Sequence, residues 1–310
     1  MVSNFEVIWP RQRKYKDVCM AGAEKSSLRN IQNRWQGKMK EQHIFSKNST
    51  YQLIEVLKTN RNKRYRQNCF LVEGVRSLNE AVKNGWTIRS LVYCPEQLSG
   101  WAKDMIRTVR TEANYLLTPE LMKDLSGKTD TSELMAVIEM REDRPDTIRL
   151  SDNPFLVLFD RPSNKGNLGT MIRSCDALGA DALILTGHGV DLYDPDVVVS
   201  AMGSFFNLPV LRITDNNELY SFIAELKEKY PGFITIGTTA HRESPIWSET
   251  LSGPLMLMVG NETMGLNKAF KENCDKLCTI PMAETSYASS FNVSCAASIM
   301  MYEIVRQRNS

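Results

Sequence analysis

The 310-residue sequence contains no apolar run of the ~18 residues a membrane-spanning helix needs, and stretches such as Phe155–Phe159 and Leu255–Val259 have only the length of strands. Its first residues, MVSNFEVIWPRQRKYK, lack an apolar signal core. Neither export nor a membrane is expected, and the reading is of a cytoplasmic protein. Histidine is scarce: with His43, His188 and His241 alone, metal clusters and histidine-based triads are poor candidates, and no metal is expected. The seven cysteines are odd in number and scattered. The nearest pair, Cys274 and Cys278, has no second pair and no neighbouring histidine, which argues against zinc and for reduced thiols. No G-x-G-x-x-G follows the first strand of the carboxy-terminal half and no G-x-x-x-x-G-K-[ST] occurs anywhere, which disfavours an ordinary dinucleotide or P-loop site.

What is present is a balanced composition, 42% hydrophobic and 24% charged, typical of a globular chain of about two domains. The net charge of +2 hides a polarity. Residues 1–70 hold 15 Lys/Arg against 5 Asp/Glu, a surplus of +10; the rest of the chain, by subtraction from totals of 38 and 36, holds 23 against 31, or −8. A basic front on an acidic body points to a polyanion such as nucleic acid, or to a solvated basic tail.

Three stretches separate along the chain. Residues 1–44 lack clean periodicity and read as a basic extension. Residues 45–141 read as a small α/β module: Leu53, Ile54, Val56 and Leu57 at helical spacing, the basic cluster Arg61-Asn62-Lys63-Arg64, a strand at Cys69–Val72 and a helix from Arg76 to Asn84 stopped by Gly85. Further strands are expected at 88–93, 115–117 and 135–140, with helices at 101–113 and after Thr118-Pro119. Residues 142–154 read as a linker. From 155 to 310, six apolar strands (155–159, 182–185, 209–213, 233–237, 255–259, 276–280) alternate with helices near 167–178, 195–205, 216–230, 267–272 and 292–307. That alternation predicts a parallel sheet covered on both faces, with its ligand beyond the carboxyl ends of the strands.

Three loops carry unusual residues. Asp160 to Gly169 leads into a helix with Arg173, six residues after Asn167. Gly260-Asn261-Glu262-Thr263-Met264-Gly265-Leu266 follows a wholly apolar strand. Ile280-Pro281-Met282 is followed by Ser290-Phe291-Asn292-Val293-Ser294, opening the last helix. Each alone is weak evidence, better read as a capped helix start or a turn.

In this order and spacing the loops resemble the SpoU family of RNA ribose 2′-O-methyltransferases, within the SPOUT superfamily. The matching motifs are N-x-G-x-x-x-R (Asn167 to Arg173), G-N-E-x-x-G-L (Gly260 to Leu266), and I-P-M with S-x-N-V-S (Ile280 to Met282, Ser290 to Ser294). Phe291 stands where leucine is common, and the gap between Met282 and Ser290 is longer than usual. Phe70-Leu71-Val72-Glu73-Gly74-Val75-Arg76 resembles the small RNA-binding module often fused in front. The resemblance covers residues 46–308 and implies a parallel-sheet catalytic domain with a carboxy-terminal trefoil knot, and a homodimer with each active site completed at the interface. It also implies S-adenosylmethionine as methyl donor and a ribose hydroxyl of RNA as acceptor. Arg173, Asn167, Glu262, Ser290 and Asn292 are the implied catalytic set. Thr238, Gly260, Asn261, Ile280, Met282 and Phe291 are implied to hold the cofactor, and Arg61, Lys63 and Arg64 are expected to meet RNA phosphates. The fused module favours ribosomal over transfer RNA by family analogy; a transfer-RNA enzyme and a non-catalytic RNA-binding factor of the same fold are the alternatives.

Overall fold

The computed structural model describes residues 40–240 and 243–310. The expected extension therefore lies outside the described residues, except for its last five. These five correct the expected boundary. Lys40–Ile44 forms strand β1 and pairs in parallel with β4, Ala113–Leu117. The other strands of this first sheet are β2 (Cys69–Glu73), β3 (Ile88–Tyr93) and β5 (Leu134–Glu139), in the order β1-β4-β3-β5-β2. Helices α1 (Ser49–Thr59), α2 (Arg61–Gln67), α3 (Val75–Lys83), α4 (Gly100–Thr108) and α5 (Pro119–Ser126) complete the front region. Strand alternation sends Leu71, Val92, Met135 and Val137 to one face, where Tyr51, Ile54 and Leu57 of α1 and Met122 and Leu125 of α5 cover them.

The second sheet is wholly parallel. It contains β6 (Phe155–Asp160), β7 (Ala182–Thr186), β8 (Val210–Ile213), β9 (Ile234–Thr238), β10 (Ser244–Pro245), β11 (Leu255–Val259) and β12 (Lys276–Thr279), in the order β10-β12-β9-β11-β6-β7-β8. Its helices are α6 (Lys165–Ala177), α7 (Pro195–Ser200), α8 (Asn216–Lys229), α9 (Lys268–Asn273) and α10 (Val293–Arg308). One face, with Leu156, Leu158, Ile184, Met256 and Met258, packs on Leu219, Ile223 and Leu226 of α8 and Phe270 of α9. The opposite face, with Val157, Phe159, Leu183, Leu257 and Val259, packs on α6, α7 and α10. Burial on both faces explains why these strands are uniformly apolar rather than alternating. Gly169 is the tight point between α6 and α7: an added Cβ would lie 2.7 Å from the Val197 carbonyl oxygen.

The two sheets share one core. Phe70 of β2 meets Tyr193 and Phe205 at centroid distances of 4.9 and 5.7 Å, and Trp86 donates from Nε1 to the Phe206 carbonyl at 2.9 Å. The segment expected to link the two is pinned as well, since Arg212 donates from Nε to Asp143 at 2.7 Å.

Candidate active site

Order reverses in the second sheet where β6 leads outward to β7 and β8, while β9, β11 and β12 lie on its other side. A parallel sheet opens a crevice beyond its strand ends at such a reversal. The loops after β6, β11 and β12 converge there.

The loop after β11 is closed on itself. Asn261 and Gly265 exchange backbone hydrogen bonds at 3.1 and 3.0 Å, with Gly265 at φ +67°. The Asn261 side chain accepts from Thr263 N and Met264 N, both at 2.9 Å, and donates to the Arg161 carbonyl at 2.7 Å. Gly260 packs directly under this turn: an added Cβ would stand 2.6 Å from Leu266 Cα and closer still to Leu266 N and the Gly265 carbonyl carbon.

Glu262, the next residue, points at the start of α6. Its carboxylate accepts from Ser163 N (2.9 Å), Ser163 Oγ (2.6 Å), Asn164 N (3.1 Å) and Asn167 Nδ2 (3.2 Å). Burial pushes its pKa up, but the Ser163 and Asn167 hydrogen bonds outweigh burial and hold it below the usual glutamate value. Asn167 Oδ1 accepts from Asn292 Nδ2 at 3.1 Å, and the Asn167 carbonyl accepts from Ser294 Oγ at 3.0 Å. Asn292 is also the amino-terminal cap of α10, accepting from Ser294 N and Cys295 N. One hydrogen-bond chain, Glu262–Asn167–Asn292, therefore ties the three loops together and fixes both asparagine amides.

Beside this chain lies a cleft of ≈ 390 Å³, within the usual range for a small-molecule site. Thr238, Gly260, Asn261, Ile280, Met282 and Phe291 all line it, as do Glu262 and Ser290. Leu266, Ile280, Phe291 and Met300 give it apolar walls, and the strand ends supply backbone donors and acceptors. This lining suits a flat heterocycle with a polar tail. Asn261 is placed there, but its amide is committed to the backbone of its own loop and to the Arg161 carbonyl, so it shapes the cleft rather than offering free donors.

Arg173 is not brought to this cleft. It lies on α6, exposed, and makes no hydrogen bond or ion pair among the described residues. Of the expected phosphate-binding residues, Lys63 is exposed, and Arg61 is exposed with Nη1 donating to the Gly189 carbonyl at 3.1 Å. Arg64 is a correction. It is 1% exposed, donates to the Leu57 and Lys58 carbonyls, and pairs with Asp191 at 2.6 Å and Asp194 at 3.4 Å. Its position on the inner face of α2 makes it an internal strut between the two sheets, closed to phosphate.

Several residues inside the quoted loops were given no role from sequence: Ser163 and Asn164, which hold Glu262, Ser294, which holds Asn167, and Asp160, which holds Arg161. The Ser-Asn pair just before a helix is itself a capping signal, and Asn164 does cap α6 by accepting from Asn167 N at 3.0 Å.

Comparison with known proteins agrees with this geometry. Residues 154–302 match the model of the SpoU rRNA Methylase family, and residues 48–136 match the SpoU L30e-like domain. The chain is 41% identical over 269 residues to the 23S rRNA (uridine(2479)-2′-O)-methyltransferase of Streptomyces viridochromogenes, covering 86% of this chain and 93% of the relative. It is 30% identical over 244 residues to the 23S rRNA (guanosine(2553)-2′-O)-methyltransferase of Bacillus subtilis, covering 79% and 91%. Among solved structures, the SpoU methyltransferase AviRb of Streptomyces viridochromogenes in complex with AdoMet superposes with a TM-score of 0.80 at 41% identity, over 85% of this chain and 99% of that one. The chain belongs to the SpoU rRNA methylase family.

Proposed function

We propose that this protein transfers the methyl group of S-adenosylmethionine to a ribose 2′-hydroxyl of ribosomal RNA. The observation that carries the reading is the Glu262–Asn167–Asn292 chain at the lip of a cleft with apolar walls. Relatives named as 23S rRNA 2′-O-methyltransferases support ribosomal over transfer RNA. S-adenosylmethionine, when bound, supplies a methyl group on a sulfonium, an activated leaving group. Leu266, Ile280 and Phe291 would give the cofactor an apolar wall, and the backbone at Gly260 and Ile280–Met282 would hold its polar edge. Ser290 and Asn292 orient the ribose. Glu262 is the fixed anchor that keeps Asn167 in place, and positioning of this kind supplies much of the rate. Arg173 grips a phosphate and polarises the hydroxyl; a guanidinium stays protonated in nearly all proteins, so the hydroxyl proton passes to water rather than to Arg173.

Because Arg173 stands apart from its own chain's cleft, the site is read as shared in a homodimer. Exposed Ile299 and Tyr302 on α10 support this face, next to Ser298, which is hydrogen-bonded to Ser174 of α6. The family's trefoil knot is part of the same reading, supported by the return of the chain after β12 to α6 through Asn292. So is a cytoplasmic setting, which fits the six free cysteines of the described region. The test is methylation of ribosomal RNA with labelled cofactor, followed by nucleoside digestion. Label is expected in a 2′-O-methyl nucleoside and lost in Arg173→Ala, with cofactor binding retained. Mixing Arg173→Ala with Gly260→Ala chains is expected to restore activity, since one site per heterodimer is then intact. Label in the base refutes ribose chemistry, and failure to complement refutes the shared site.

A further inference from the structure

A basic residue at the first position of a helix is electrostatically misplaced, because the amino-terminus carries the positive end of the helix dipole. Yet α6 opens with Lys165, directly after Asn164 and two residues before Asn167. Its partners explain it. Lys165 Nζ lies 3.1 Å from both Asp194 and Asp196. Asp196 is on the surface, but Asp194 is 8% exposed, and the oxygen that faces Lys165 also faces Arg64 Nη2 at 3.4 Å. Arg64 holds Asp191 through Nε at 2.7 Å and holds the end of α1 through the Leu57 carbonyl at 2.7 Å. Tyr65 Oη donates to the other Asp191 oxygen at 2.8 Å. Two buried carboxylates, Asp191 and Asp194, are thus offset by one buried cation, Arg64, and one supplied by the catalytic loop, Lys165. Taking Lys165 away leaves this buried cluster with unbalanced negative charge. It also cuts the only ionic path, among the described residues, from α2 of the front module to the first turn of α6.

We propose that Lys165, acting through Asp194 and Arg64, is a positioning residue that fixes the first turn of α6 relative to the front module and so selects which ribose of a bound RNA meets the catalytic loop. This deepens the RNA-methyltransferase reading and rests on it. RNA gripped by the front module presents a ribose at a fixed distance from the grip. Only a loop held at a matching distance reacts with that ribose and not with its neighbour. Asn164 and Asn167 contact Glu262, so a shift of the helix start moves the catalytic chain directly.

The experiment uses the full-length protein with Lys165→Met, Lys165→Arg, Asp194→Asn and the Lys165→Met/Asp194→Asn double variant. Asparagine keeps the capping acceptor for α7 and replaces the charged oxygen that faces Lys165 and Arg64 with an N–H donor. Lys165→Met is expected to lower kcat on ribosomal RNA by about ten- to a hundred-fold, the scale of a small misplacement of reacting groups. It should spread methylation to neighbouring riboses, leave the cofactor Kd unchanged, and speed amide exchange at Asn167 and Leu168. Lys165→Arg should restore the single site, and the double variant should be no worse than the worse single. Wild-type kcat with one methylated ribose in Lys165→Met overturns the proposal, as does an additive double variant. A salt dependence of RNA binding shallower by about one unit in Lys165→Met would make Lys165 a phosphate ligand instead, which also overturns it. Amide exchange needs no activity: a wild-type protein that methylates no RNA defeats the functional reading, whereas unchanged exchange in Lys165→Met defeats the tether.

Discussion

Gly260→Ala tests whether the cleft depends on the closed turn above it. The added methyl would meet backbone on every near side, with Leu266 Cα at 2.6 Å and Leu266 N and the Gly265 carbonyl carbon closer. No flexible side chain is there to yield, so the turn itself must lift. That breaks the two backbone hydrogen bonds between Asn261 and Gly265, at about 1 kcal/mol each. Overpacking adds about 1–3 kcal/mol. The sum is about 3–5 kcal/mol, or a fall in Tm of roughly 10 °C at the 2–4 °C per kcal/mol typical of a chain this long. Lifting the turn also moves Leu266 and Glu262, which line the cleft. Thermal melts and titration calorimetry with S-adenosylmethionine are the assays; both Tm and cofactor affinity should drop together. A variant with wild-type Tm and wild-type Kd would show that the turn has room to spare and that the close approach carries no function.

Two further outcomes follow from the charges. Glu262→Gln replaces one of two acceptor oxygens with an NH2 donor, which must oppose either the Ser163 donors on Oε2 or the Asn164 and Asn167 donors on Oε1, and should cost about 1–3 kcal/mol along with most activity. Because the folded pKa of Glu262 lies below the ordinary glutamate value, the stabilisation is full above about pH 4.3 and fades as pH falls below it. Urea melts of wild type and Glu262→Gln should therefore differ at neutral pH and converge in acid; a gap that persists at low pH refutes the assignment. Arg64→Met leaves Asp191 and Asp194 without their buried cation and should destabilise by about 3–5 kcal/mol, read as a lower midpoint in the same melts. A stability within error of wild type would return Arg64 to the surface role that its sequence neighbours suggest.

Local pattern made much of the second sheet legible. Leu255–Val259 is an uninterrupted apolar run bounded by Pro254 and Gly260, and the strand occupies those five residues. Burial on both faces leaves no room for a helical reading of so short a run. Local pattern failed where partners are remote. The sequence Lys40 to Ile44 is mostly polar, and only pairing with β4, over seventy residues on, makes it a strand. Helix α4 stops at Thr108 instead of running on to 113, because Ala113 is drawn into pairing with both β1 and β3. Arg64 reads as one of a surface cluster because its carboxylates are 127 and 130 residues away. The site divides in the same way. The motif residues Asn167, Glu262 and Asn292 were legible and come together. Arg173 was equally legible, but it lies exposed on α6, outside the lining of the cleft.

Arg161 shows how the loops are held in register. It is one of three non-glycine residues of the described region with positive φ, at 49°, a conformation that costs about 1–3 kcal/mol at such a site. The surroundings offset that cost from several sides. Its guanidinium forms a fork with Asp160, at 3.0 Å from Nε and 2.8 Å from Nη2, and reaches the Gly265 carbonyl at 3.3 Å. Its own carbonyl accepts from Asn261. Gly187 leaves the space that its side chain fills, since a Cβ there would lie 2.6 Å from Arg161 Cγ. Asp160, 1% exposed, also accepts from Thr186 Oγ1 and Asn267 N. The end of β6 is thereby fastened to β7 and to the loop after β11. A flexible junction here would let Glu262 drift from the start of α6, and the Glu262–Asn167–Asn292 chain would have to be rebuilt at each turnover. The strained backbone at position 161 is the consequence of fixing that chain in advance.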